Sequence, residues 1–558
     1  MTKTHLHPGR AANALAAAVG LVLALAGCGG GAPLSASAPP VDLTGVAGMA
    51  VLSGERQALV TALASASAPL PTPAPTPEPA PAAATVTPVE NAAADDCMLP
   101  GVPTKPANAV DVRHHGAQPD DGRDDTAMIQ AALDGLAPGQ WLVFPPGVYQ
   151  HHGRLTVRRP GTVMWSEGAT LHATNPRDQA VMLAADGVGI YNFTLTAVTD
   201  VRVHAPWQAR IAVFDRVERV APLRDVVIRG NRIINAGARG TPTANSAASA
   251  GIFVYRADGF LVADNEVRRS LSDGIHITAG SRNGRVLYNT VRETGDDMIA
   301  MVSYLSTGDW VNEDTARLAA TFASERDQQL VRNVLVAHND VAGQYWGRGI
   351  SVVGGADITI RSNRIARTAV AAGVLVAREA SYSTWGVHNV RVDDNVISQV
   401  QTEAPAYTPA NWPQLAVRTG HAGIEIHAFV FDEERRYPGF LAALSVARVR
   451  VAGNTISDTG ANGIRVGEGT GTSSLMTATN ARGDAVSRAY GGGSVGPVDL
   501  SANAMVRTAA RALEIKRQPT AQDNIFCEAL TSGGVALSDP GCSGLRPTVT
   551  GAAFRCGR

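Results

Sequence analysis

The chain has 558 residues, with Lys+Arg 48 against Asp+Glu 49 and a formal net charge of −1. That balance excludes a nucleic-acid binder, because neutralising phosphates needs a basic surplus. With 17% charged and 5% aromatic residues beside 57 Gly and 32 Pro, this is a turn-rich chain of small residues. It is neither a coiled coil nor an acidic disordered tail, and its length demands several domains or one body built from repeats.

Residues 1–27 carry a short basic start (Lys3, Arg10) and an apolar run from Ala11 to Ala26, ending in Leu25-Ala26-Gly27-Cys28. The run is too short for a membrane-spanning helix and reads as a signal peptide. Its last four residues resemble the bacterial lipobox, which implies lipidation at Cys28 after cleavage. Gly29, not Asp, follows the cysteine. By the same resemblance the expected location is therefore the cell envelope, at the outer membrane. Residues 28–96 are rich in Ala, Pro, Ser and Thr, cannot bury enough surface to fold, and read as a semi-rigid tether. The folded body is expected over 97–520, with a cysteine-containing cap or tail over 521–558.

Setting Cys28 aside leaves Cys97, Cys527, Cys542 and Cys556. An even number in an exported chain points to two disulfides with three possible pairings. Zinc is the alternative, but the spacings match no ligand motif.

The segment Asp120-Asp121-Gly-Arg-Asp124-Asp125 precedes an amphipathic stretch with Ile129, Ala132 and Leu133 on one face. Asp124 or Asp125 is a good N-cap, and a helix there would cover the exposed first edge of whatever sheet follows. The acidic cluster can be read as a calcium loop, but turn formation and capping account for it better. Next comes Trp141-Leu-Val-Phe-Pro-Pro-Gly-Val-Tyr149, a strand closed by a turn.

From Asn231 onward the chain repeats. An apolar pair, an Asn and a second apolar residue are followed by a turn and a Gly-Ile-x-Ile strand. The asparagines are Asn231, Asn265, Asn289, Asn339, Asn363, Asn395, Asn454 and Asn503, with 289 − 265 and 363 − 339 both equal to 24. The strands begin at Gly251, Gly274, Met298, Gly349, Gly373, Gly423, Gly463 and Ala512. Short period-2 strands in a repeat of two dozen residues predict a parallel β-solenoid whose coils stack at about 4.8 Å. Inward Ile, Val and Leu would fill the lumen, and the asparagines would form a hydrogen-bonded column.

Stacking also places the turn residue before each strand in one row: Ala250, Asp273, Asp297, Arg348, Ala372, Ala422, Asn462, Arg511, with Asp296 beside Asp297. Three carboxyls on two neighbouring coils repel one another. One is expected to hold its proton to a raised pH while another stays ionised, the split that glycoside hydrolysis needs. Long insertions, Tyr304–Leu330 with Trp310, Asp314 and Glu325, and 401–420 with Tyr407 and Trp412, interrupt coils beside this row. They are candidate groove walls, as Tyr345 and Trp346 are candidate sugar platforms.

The N-terminal helix-and-strand motif closely resembles that of the pectin-lyase-like superfamily, in its pectate-lyase-3 or polygalacturonase-related group. The resemblance covers 110–517 and implies an all-β, right-handed parallel β-helix with an N-terminal capping helix. Ser272-Asp273-Gly274-Ile275, Gly295-Asp296-Asp297-Met298 and Gly347-Arg348-Gly349-Ile350 are similar, in order, to the active-site motifs of polygalacturonases. By that resemblance Asp296 is the general acid, and Asp273 and Asp297 activate water in an inverting hydrolysis. Arg348 stands where that family has a histidine, and its Arg-Ile-Lys motif meets Val374-Leu375-Val376. His276, Arg348 and Arg378 are then the candidates to bind substrate.

The expected function is hydrolysis of an extended polysaccharide in a lateral groove, without a cofactor. One alternative keeps the fold but makes the chain a lyase or epimerase of a uronate polymer, with Ca²⁺ held by the aspartates. The other is a non-catalytic, glycan-binding surface scaffold. The expected partners are a polysaccharide and, through the lipid anchor, a membrane; the chain is expected to be a monomer.

Overall fold

The computed structural model describes residues 96–516, except 198, 200–201, 217–220, 235–245, 306–308, 406–417, 468–473 and 481, and the backbone of Ile525–Glu528 and Thr531–Gly533. Cys28, the signal segment and the tether lie outside the described residues. So do Tyr407 and Trp412. Among the described residues, no helix is long and apolar enough to cross a membrane.

Short strands follow one another around three long sheets of thirteen, thirteen and twelve strands. The first sheet begins with Val110–Asp111 and Trp141–Phe144, the second with Gly147–His151, and the third with Leu155–Val157. Each strand pairs in parallel with its counterpart one coil on. An antiparallel hairpin, Ser474–Thr479 with Ala485–Gly492, adds to the third sheet. This is a parallel β-helix of right-handed coils, the hand that parallel crossovers adopt almost without exception. The stack continues past residue 520, where the body was expected to end: Ile525–Glu528 pairs with Val498–Ser501, and Thr531–Gly533 with Ala504–Val506.

Register follows the repeat read from the sequence. Ile252, Ile275, Ile299, Ile350, Val374, Ile424, Ile464 and Leu513 are directly paired through the third sheet. All eight are buried in one apolar core running the length of the coils. The expected helix, α1 (Thr126–Gly135), packs Ile129, Ala132 and Leu133 into the N-terminal end of that core. The aspartates ahead of it are turn and cap acceptors, as expected: Asp124 takes the N–H groups of Thr126 and His152, Asp121 that of Arg123, and Asp120 that of Val148. Asp125 is the N-cap residue, but its side chain bonds Gln118 N–H and not the helix.

The asparagine column is continuous. Each Oδ1 accepts both the backbone N–H and the Nδ2–H of the preceding asparagine at 2.9–3.1 Å, from Asn231 to Asn503. Each Nδ2 also donates to a backbone carbonyl, as Asn363 does to Val336. The residue just before each of these asparagines is left-handed: Gly230, Asp264, Tyr288, His338, Ser362, Asp394, Gly453 and Ala502. The asparagine side chain thus satisfies the backbone at the sharpest turn of every coil.

Two features were not foreseen. The insertion after Tyr304 folds into α2 (Thr315–Gln329), capped by Asp314, with Glu325 bound to Arg317. It packs beside α3 (Pro438–Ala443) over the third sheet's flank, burying Leu318, Trp385 and Phe440 together. Trp310 is buried against Phe431, ring centroids 5.8 Å apart, and so serves packing.

Cys97 is buried against Leu261, Ala263, Leu287, Leu335 and Ala337 on the outer face of the first sheet and is disulfide-bonded. The side chains of Cys527, Cys542 and Cys556 lie outside the described residues.

Replacing Asn363 by Ala would strip the acceptor from Asn339 N–H and the donor from Val336 C=O, both buried. The expected cost is roughly 2–4 kcal/mol, read as a lower urea midpoint; an unchanged midpoint would show that the column contributes nothing.

Candidate active site

The third sheet presents its outer face as a row, and the row carries the chemistry. Asp273 precedes the strand Ile275–Thr278, Asp296 and Asp297 precede Ile299–Val302, and Arg348 precedes Ile350–Val353. These strands are directly paired, so the four side chains come from three consecutive coils. All four line one cleft, together with His276, Trp346 and five residues that the sequence did not single out as binding groups: Arg202, His204, Tyr304, Glu379 and Tyr382. Its cavity is about 80 Å³. That is room for two or three waters at about 30 Å³ each, so a larger ligand must lie across the open mouth.

Asp273 is nearly buried and accepts from His276 Nδ1 at 2.9 Å, with Ser272 Oγ at 3.4 Å; Ser272 in turn reaches His204 Nδ1 at 3.0 Å. Asp297 accepts the Arg348 backbone N–H on Oδ1 and the Ser351 hydroxyl on Oδ2, both at 2.5 Å. The first of these bonds recurs where no chemistry is involved, since Asn462 Oδ1 takes the N–H of Arg511 at the same place in a later coil. One oxygen of Asp297 therefore does a turn's structural work. Asp296 is the more open, with 19% of its side chain exposed against 5% for Asp297, and its Oδ2 is ion-paired with Arg202.

Gly347 leaves the space in which these carboxyls sit: a Cβ there would collide with the Oδ1 atoms of both Asp296 and Asp297. Only glycine allows that approach.

Burial pushes Asp297 up to about 7, with Asp296 and Asp273 adding to the rise and the Arg348 charge opposing it. Burial and Asp273 also raise Asp296, against the pull of Arg202. Both neighbouring carboxyls therefore hold a proton more tightly than an ordinary aspartate, Asp297 up to near neutrality. Burial works against both charges of the next pair, yet they hold each other ionised. Arg348 and Glu379 meet at 2.5 Å, Glu379 is drawn down to about 2 by Arg348 and His427, and Arg348 lies well above its usual value.

Two expected substrate contacts are corrected by the structure. Arg378 is fully buried, ion-paired with Glu434 at 2.5 Å and bonded to Thr384 O at 3.2 Å. Its register partner, Ala428, belongs to the core, so Arg378 lies one residue beyond the outward-facing Ala377, on the opposite face. Tyr345 is 2% exposed and turned away from the cleft, while the next residue, Trp346, is half-buried and lines it.

Among the described residues of the long insertion, only Tyr304 lines the cleft. Arg202, His204 and Glu379 carried no signal in the repeat, since the first two lie in an irregular segment and the third follows a strand end. Among the described residues, no group of three His, Cys, Asp or Glu side chains is arranged to hold a metal ion.

A carboxyl raised on folding binds protons more tightly in the folded chain than in the unfolded one. Asp297 therefore costs stability progressively as pH rises from about 4 to about 7. Asp297→Asn keeps the turn acceptor and removes the charge, so it should stabilise the protein above pH 7 by roughly 1–3 kcal/mol and do little near pH 4. Melting curves at the two pH values check this; equal effects at both would contradict the raised carboxyl.

No family model and no curated protein matches the chain. Among solved structures it is similar to the A-module of the mannuronan C-5 epimerase AlgE6 of Azotobacter vinelandii, at 14% identity over 76% of this chain and 100% of that one, TM-score 0.47. It is also similar to the catalytic unit of a thermostable GH87 α-1,3-glucanase of Streptomyces thermodiastaticus, at 16% identity, 80% and 71% coverage, TM-score 0.43. A third is the family 28 exopolygalacturonase of Yersinia enterocolitica, at 14% identity, 76% and 78% coverage, TM-score 0.40. At such identities a likeness concerns the course of the backbone and says nothing of chemistry. The stacked parallel sheets and the capping helix make a parallel β-helix, the architecture that the sequence motifs imply.

Proposed function

We propose that the chain is a polysaccharide-active glycoside hydrolase that binds an extended glycan across the mouth of this cleft and cleaves it by acid/base catalysis. One observation carries the reading: Asp273, Asp296 and Asp297 converge on one cleft from neighbouring coils, where burial raises the proton affinity of Asp296 and Asp297. The motifs resembling those of polygalacturonases fall on these same residues.

Asp296 takes the part of general acid. It is the more exposed of the pair, and its Oδ1 is not committed to a turn as that of Asp297 is. Asp297, fixed by Ser351 and the Arg348 N–H, and Asp273, oriented by His276, hold and deprotonate the attacking water. Arg202 is ion-paired with Asp296 and would yield it to the glycosidic oxygen when substrate enters. Trp346, Tyr304 and Tyr382 offer faces on which sugar rings stack.

The chain is further proposed to act at the cell envelope, anchored through Cys28, as a monomer and without a cofactor. Its tether would leave the cleft free to reach polymer.

Incubating the purified chain with a glycan panel, with and without EDTA, should release reducing ends and no ultraviolet-absorbing products. Absorbance that EDTA abolishes would replace hydrolysis by Ca²⁺-dependent elimination. Binding without any product would make the chain a scaffold. Asp296→Asn should lower kcat at least about a hundredfold while leaving glycan binding and the melting temperature in place; an active variant removes Asp296 from its role. Because Arg202 holds the acid's proton affinity down, Arg202→Met should move the alkaline limb of the rate profile to higher pH. A limb that stays put or moves down would count against the pairing.

A further inference from the structure

A concavity larger than the cleft lies elsewhere on the body. It lies on the outer face of the first sheet, has a volume of about 340 Å³, and is lined by residues of four consecutive coils. Its origin is legible in the columns. Arg361 and Asp393 are followed, one and two coils on, by Ala452 and Ser501, and the adjoining turn column steps from Asp394 to Gly453 and Ala502. Two large charged rungs give way to two small ones, and the step leaves a floor below a charged wall. The neighbouring column adds Arg391 and Arg450, paired directly across adjacent strands.

Three guanidinium groups and two carboxyls therefore meet around this hollow, leaving it one positive charge in excess. Arg361 pairs with Asp394 at 3.5 Å and Arg450 with Asp393 at 3.7 Å, which is ion-pair distance but long for a hydrogen bond. Two buried atoms at the wall are left without hydrogen-bond partners: the Nε–H donor of Arg361 and the Oδ1 acceptor of Asp393. Burial also pushes Asp393 up to about 6, as fits a carboxyl short of donors. Unsatisfied buried groups of opposite kind, on register-paired residues that line one hollow, are costly unless something supplies both an acceptor and a donor.

We infer that this hollow is a second binding site, distinct from the cleft, for one acidic sugar residue of a glycan. The sugar's carboxylate would face Arg361, Arg391 and Arg450, and a ring hydroxyl would donate to Asp393. A bare anion such as sulfate offers acceptors only and leaves Asp393 unanswered; a neutral sugar offers hydroxyls but no charge for the arginines. The site stands whether or not the cleft cuts glycan, because it shares no residue with it.

The test is a titration of the full chain with D-glucuronate, D-glucose and sodium sulfate, followed by calorimetry or by ligand-observed NMR. Glucuronate should bind saturably, and more tightly than either control by about tenfold. Arg450→Gln, which removes one charge from a half-exposed side chain, should weaken that binding by about tenfold. Ala452→Trp, which fills the floor from an outward-facing position, should abolish it. Trp346→Ala, which takes a sugar platform out of the cleft, should leave it unchanged, which separates this site from the cleft. Glucuronate binding that survives both hollow variants, sulfate binding as tight as glucuronate, or the absence of saturable glucuronate binding would each overturn the proposal. Circular dichroism of both variants shows whether a loss reflects the site or the fold.

Discussion

Everything in this molecule depends on residues of one coil lying directly over those of the next. Parallel hydrogen bonding at about 4.8 Å per coil fixes that registration, and the buried column of Ile, Val and Leu makes slippage costly. A shift by one residue would turn the apolar set of every strand outward. A side chain's neighbours are thus set by its position in the repeat and not by its distance along the chain. Asp273 and Asp297, 297 − 273 = 24 residues apart, become neighbours in this way, and so do Arg391 and Arg450 across a longer insertion.

The same registration explains the asparagine column. Turning from the first sheet to the second requires a left-handed residue in each coil, and at six of the eight positions it carries a side chain. A side chain in that conformation costs of the order of 1 kcal/mol or more. The asparagine that follows offsets the cost by bonding the coil before it twice through Oδ1 and a carbonyl through Nδ2. Strain and its remedy recur at the same height in the eight coils from Asn231 to Asn503, so the turn is reproduced along that stretch of the body. Even the left-handed residues stack where they can: Tyr288 and His338 lie parallel, ring centroids 5.0 Å apart.

Much of this was legible in the sequence because columns are a one-dimensional code. The asparagines, the Gly-Ile strands, α1 with its buried Ile129, Ala132 and Leu133, and the meeting of three aspartates all follow from counting. What lay outside the code was missed. Arg202 and His204 come from an irregular segment whose path no periodicity predicts. The insertion after Tyr304 reads as a loop because α2 has a weak apolar stripe, and its buried contacts are supplied by α3 and by Trp385. Arg378 failed for a subtler reason. The strand Val374–Arg378 runs longer than the Gly-x-x-x unit, and its last residue returns to the inward parity. Charge alone suggested the cleft; parity put it under the hairpin, where Glu434 neutralises it.

The cleft's chemistry is held in place from coils well beyond it. Asp297 touches Arg348, Arg348 holds Glu379, Glu379 lies 3.9 Å from His427, His427 is 3.4 Å from Glu425, and Glu425 pairs with Arg465 at 2.5 Å. Acidic and basic groups alternate along this chain of contacts, so each is buried against a group able to balance its charge, and removing one would strand its neighbours. Glu379 and Glu425 are both drawn down to about 2, and Arg348 is held charged. These three charges therefore stay fixed across the range in which Asp297 titrates. On the proposed reading that fixity serves catalysis, because a surrounding field that does not titrate with the pair keeps the acid's proton available near neutral pH. The β-helix provides such a field by stacking, since no single coil has room for both the acids and the charges that steady them.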